Sequence, residues 1–116
     1  MLFRSSALSS GAVVVMPSPV IVEVDWLSRS RGRPGAMRAL LNSVLDGSLL
    51  VVNLDAEDVA RATHLVEQYD DLPLEFVDAS VVAIAERLEQ DTIATLDRRH
   101  FSVVKPLHVG AFTLVP

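Results

Sequence analysis

The chain has 116 residues, half of them apolar and 22% charged, enough for one aliphatic core and against both a two-domain protein and a disordered one. It has no cysteine, so disulfides, thiolate metal sites and cysteine nucleophiles are excluded, and any metal must rest on oxygen or histidine nitrogen. A formal net charge of −5 offers phosphate no general attraction, so any contact with nucleic acid has to be local.

In chain order, Ala12 to Met16 is an aliphatic run that reads as a buried strand ending in Met-Pro-Ser-Pro. It is too short for the apolar part of a secretion signal, and the apolar stretch around it, broken by Pro17, Pro19 and Glu23, is too short to cross a bilayer. No membrane association and a cytoplasmic location are expected. Ser18 is placed to cap a helix with Pro19 at its first position, running to about Ser30. Gly32, Pro34 and Gly35 break it, and helical periodicity resumes from Met37 to Asp46 before Gly47 stops it. Leu49 to Asn53 reads as a second strand. Asp55 can cap a helix whose apolar positions Val59, Ala62 and Val66 recur up to Tyr69. A further helix is expected from Asp78 to about Gln90, then strands at Thr92 to Leu96 and Ala111 to Val115. Strands alternating with helices predict a single α/β domain over residues 1–116 with a parallel sheet.

Three acids stand apart from the helix exteriors. Glu23 falls beside the stripe Val20, Val24 and Leu27, whereas Asp25 points away. Asp78 falls on the inward arc with Val81, Val82, Ala85 and Leu88. Asp97 follows a strand, and ligand sites in parallel α/β sheets lie beyond the carboxyl ends of strands. Singly, Asp78 could be a helix cap, Glu23 an arginine partner and Asp97 a turn residue. Together they would converge near one sheet edge, where like charges repel unless a cation neutralises them, and carboxylates alone select Mg²⁺ or Mn²⁺. His64, His100 and His108 show no metal-ligand spacing and read as surface or loop residues; Trp26 reads as core or partner interface before base-stacking platform. Basic residues gather at Arg29, Arg31, Arg33 and Arg38, and again at Arg98, Arg99, His100 and Lys105.

The stretch from Pro17 through Glu23 to Leu27 resembles the second acidic motif of PIN-domain ribonucleases, the VapC-like toxins of VapBC-type toxin–antitoxin pairs. Phe76-Val77-Asp78-Ala79-Ser80 is similar to their third and Thr95-Leu96-Asp97-Arg98-Arg99-His100-Phe101 to their fourth; Phe112 to Pro116 resembles their last strand. The resemblance covers about residues 12–116. It implies a PIN-like three-layer α/β fold with sheet order 3-2-1-4-5 and a type II toxin that hydrolyses RNA phosphodiester bonds with Mg²⁺ or Mn²⁺. Glu23, Asp78 and Asp97 would be its catalytic, metal-holding acids. Arg98 and Arg99 would contact phosphate or an acidic antitoxin tail. A cognate antitoxin, an RNA substrate and a homodimer are the implied partners.

The beginning of the chain departs from the family's pattern. Leu2-Phe3-Arg4-Ser5-Ser6-Ala7-Leu8 is the closest stretch to the family's first motif, and it sets Arg4 where an Asp belongs. Too few residues separate it from the strand at Ala12 for a parallel crossover, which takes about a dozen or more. Residues 1–11 are therefore expected to be the remnant of a preceding helix or disordered, with the central first strand missing. Either the true start lies upstream, or the chain is a catalytically impaired module that binds an antitoxin without cleaving RNA.

Overall fold

The described residues form nine elements: strands β1 (Leu2–Ser5), β2 (Val13–Pro17), β3 (Leu49–Val52), β4 (Thr92–Ala94) and β5 (Thr113–Val115), and helices α1 (Ser18–Ser30), α2 (Pro34–Leu45), α3 (Ala56–Gln68) and α4 (Phe76–Arg87). They come from a computed structural model that describes residues 2–5, 13–95 and 98–115. The sheet order is β3-β2-β1-β4-β5. The β2–β3 and β4–β5 pairs are parallel, while β1 runs antiparallel to both its neighbours, so the four outer strands share one direction. The crossover from β2 to β3 steps outward and that from β3 to β4 steps back, so right-handed connections lay α1–α2 and α3–α4 on opposite faces, which gives three layers.

The middle of the sheet corrects the reading of the first residues. Leu2–Ser5 is a strand and not a helix remnant, and it fills the central place expected to be empty, with Phe3 opposite both Val15 of β2 and Ile93 of β4. A connection too short for a parallel crossover is long enough for an antiparallel one, and the antiparallel strand pairs backbone groups on two edges that would otherwise be left without partners. Met1 and residues 6–12 lie outside the described residues.

The remaining boundaries move by local chemistry. Pro17, with extended backbone, caps α1 and Ser18 is already its first residue, so Ser18 is not the cap. Pro34 does not break a helix but opens α2, where its fixed φ suits the first turn and its missing N–H costs nothing. Gly47 ends α2 with φ 84°, a conformation that costs glycine little. Asp55 caps α3 as expected, its Oδ1 accepting from the Asp58 N–H at 2.8 Å while Asp58 Oδ2 accepts from the Asp55 N–H at 3.0 Å. The buried face of α3 carries Asp58, Ala62 and Leu65; Val59, expected in the apolar stripe, is exposed.

The core gathers around α4, whose residues from Asp78 to Ala85 are all buried, as befits a helix apolar nearly all round. Met16 and Ile93 from the sheet, Val20 from α1 and Ala62 and Leu65 from α3 join it, all almost wholly buried. Two ion pairs bind α3 to α4: Arg61 with Glu86 at 2.8 Å, and Arg87 with Asp58 at 2.9 Å. Glu86 also accepts from the Leu107 N–H at 2.8 Å, fastening the loop before β5 onto α4.

Candidate active site

A cleft of about 550 Å³ opens where the carboxyl end of β4 meets the middle and C-terminal part of α1 and the start of α4. Its acidic side is formed by Glu23 of α1 with Glu75 and Asp78 at the start of α4. Thr95 closes the end of β4, and Arg99, His100 and Phe101 come from the segment that follows. Trp26, Leu27 and Arg31 extend the lining along α1. This is the position beyond strand carboxyl ends where parallel sheets bind ligands.

Each acid is placed by its helix. Asp78 lies in the first turn of α4, which Glu75 caps, and not at the cap itself; the helix begins two residues earlier than expected. Only 8% exposed, Asp78 benefits from the positive end of the helix dipole and from a histidine partner, Nδ1 of His100 at 2.8 Å from its Oδ2. Glu23 is half-buried on α1, as its place beside Val20 and Leu27 requires, while Asp25 pairs in the open with Arg29 at 3.1 Å. Burial, followed by the negative charges of Asp78 and Glu75, pushes the Glu23 carboxyl above its ordinary value of 4.5. Glu23 and Asp78 are thus brought together. Asp97 lies outside the described residues, two positions after Thr95, which lines the cleft.

Of the two arginines expected at phosphate, Arg99 lines the cleft, whereas Arg98 Nη2 reaches the Leu114 carbonyl of β5 at 3.5 Å. Sequence reasoning missed His100, taken for a plain loop residue, and Glu75. Phe101, 2% exposed, anchors the turn that carries His100, and the Val104 N–H donates to the His100 carbonyl at 3.1 Å. Glu75 was findable, since three residues before Asp78 on one helix is a neighbouring position.

Three carboxylates in one cleft, Asp78 and then Glu75 raising the cost of ionising Glu23, form a hard oxygen donor set whose repulsion a divalent cation would relieve. Among the described residues no three His, Asp or Glu side chains make a complete ligand set. Glu23 and Asp78 therefore fit such a cation as part of a set and need a further acid, for which Asp97 is the sequence's candidate.

The PIN-domain sequence profile matches residues 4–106, most of the chain and all three acidic motifs. The chain belongs to the PIN-domain family. Within it the chain is VapC-like: it is 35% identical over 113 residues to Ribonuclease VapC26 of Mycobacterium tuberculosis, a match spanning 97% of this chain and 84% of that protein. As a PIN domain it places Glu23 and Asp78 on α1 and α4, and β1, whose sequence is Leu-Phe-Arg-Ser, supplies no acid to the middle of the sheet.

Proposed function

We propose that this chain is an endoribonuclease, the toxin of a type II toxin–antitoxin pair, hydrolysing RNA phosphodiester bonds with Mg²⁺ or Mn²⁺. The observation that carries this reading is the pairing of Glu23 and Asp78 in one cleft of a PIN-domain chain similar to a protein named a ribonuclease. Glu23, Asp78 and Asp97 would hold the cation. When bound, the cation supplies a water of lowered pKa and polarises the phosphoryl oxygens. The protein's own part is positioning. His100 Nδ1–H donates to Asp78 Oδ2 and limits how that carboxylate can turn, and Arg99 offers charge-assisted hydrogen bonds to a phosphate at the cleft. A cognate antitoxin, a homodimer and a cytoplasmic setting complete the reading; none of the described helices is long and apolar enough to cross a membrane.

The test is cleavage of a mixed RNA by the purified chain in Mg²⁺, in Mn²⁺ and in chelator, with Asp97→Asn as control. Chelator-sensitive cleavage lost in Asp97→Asn is expected. Cleavage that survives both would reject the metal mechanism. The second reading, a module that binds an antitoxin without cleaving, is favoured by the acid-free β1, and an inactive chain that still binds its antitoxin would establish it.

A further inference from the structure

Trp26 is the chain's one tryptophan, and folding makes little use of it: it is 66% exposed while the core closes around Met16, Leu65, Ile84 and Ile93. Of the two places expected for it, core or partner interface, this exposure removes the core. Its position is informative, because it lines the same cleft as Glu23 and Asp78. On α1, at about 1.5 Å of rise per residue, the indole follows Glu23 by roughly 4.5 Å along the helix axis, and Arg31, the C-cap residue, follows Glu23 by roughly 12 Å. A metal-type carboxylate, a flat apolar ring and a guanidinium thus succeed one another along one wall. That order matches a nucleotide strand: reacting phosphate, base, next phosphate.

We propose that Trp26 is a nucleobase platform, on which an unpaired base beside the scissile phosphate stacks while Arg31 holds a neighbouring phosphate. This rests on the ribonuclease reading above for its substrate and adds a residue that selects among RNAs. A base inside a duplex keeps its faces covered by its neighbours; only an unpaired one can exchange that stacking for the indole. The chain's net charge of −5 requires the attraction to be local, and Arg31 and Arg99 on the cleft provide it. Exposed Val22, one turn before Trp26, continues the apolar strip and makes a protein surface the competing occupant.

The experiment uses the full chain in chelator, where nothing is cut, and reads the fluorescence of Trp26 during titration with an unpaired eight-nucleotide RNA and with the same sequence in a duplex. Quenching by the single strand and little by the duplex is expected. Anisotropy of a labelled single strand then compares variants: Trp26→Phe keeps affinity within a few fold, while Trp26→Leu, apolar but unable to stack, loses about tenfold or more. Arg31→Gln lowers the salt dependence of binding by about 0.7 in log–log slope, one phosphate's worth on a single strand. Fluorescence that ignores RNA but shifts on dilution of the protein would assign Trp26 to a protein contact and overturn the proposal. So would equal affinity of Trp26→Leu and the unchanged chain. Quenching without any cleavage in Mg²⁺ or Mn²⁺ would sink the ribonuclease reading and keep the platform; cleavage without quenching would do the reverse.

Discussion

Nδ1 of His100 lies 2.8 Å from Oδ2 of Asp78, joining the segment after β4 to the first turn of α4 across the cleft. A carboxylate only accepts, so Nδ1 carries the hydrogen and the other Asp78 oxygen is left for a cation. Partners of this kind are worth about 10- to 100-fold in metal affinity. His100→Ala is therefore expected to weaken Mn²⁺ binding at least tenfold, read by electron paramagnetic resonance without RNA. His100→Asn, which keeps an N–H donor, is expected to recover most of it. Equal losses in both variants would show that the imidazole acts otherwise.

Glu23 gives a pH-dependent prediction. Its raised pKa means that the native chain holds the proton more tightly than the unfolded one, so ionising it costs native stability. That cost is absent below the ordinary value of 4.5, grows as pH rises above it, and is complete beyond the folded-state pKa. In chelator, Glu23→Gln is expected to melt above the unchanged chain at pH 7, with the gap closing below about pH 4. Mg²⁺ should narrow the gap at pH 7 by stabilising the unchanged chain more. A variant that melts lower at pH 7 in chelator would contradict the crowding of Glu23 by Asp78 and Glu75.

Asp58 behaves in the opposite sense. Burial works against its charge, but hydrogen bonds from Arg87 and the Asp55 N–H outweigh it and set its pKa below the ordinary 3.8. Its contribution is present above that value and is lost as pH falls through the depressed one. At pH 7, Asp58→Asn is expected to lose about 1.5–3 kcal/mol in urea unfolding, the scale of a hydrogen bond to a charged group. The loss should shrink in acid, and RNA cleavage by the folded variant should be unchanged. Undiminished destabilisation at pH 2 would mean that packing, not charge, is what Asp58 provides.

What the sequence discloses depends on how local the physics is. Asp78 was legible because an acid on the inward arc of a buried helix conflicts with its surroundings, and Glu23 because it abuts an apolar stripe. His100 was not, since its partner is 22 residues away and only the turn anchored by Phe101 brings them together. The inward face of α3 was misread because it begins with a buried acid, Asp58, whose counter-charge Arg87 comes from another helix. β1 was missed for a different reason. Too few residues separate it from β2 for a parallel crossover, yet an antiparallel strand of four residues meets the same pairing requirement.

The most direct test of the account is the rate of RNA cleavage at saturating protein as Mn²⁺ is titrated, for the unchanged chain, Glu23→Gln and Asp78→Asn. Both acids are held to act on one cation, so removing either is expected to shift the Mn²⁺ midpoint upward and lower the plateau by about 100-fold or more, the scale of a lost charge-stabilising group. The double variant should be little worse than the singles, because groups that work as a unit are not additive. An unchanged midpoint and plateau in both single variants would contradict the assignment of Glu23 and Asp78 as the metal-holding pair.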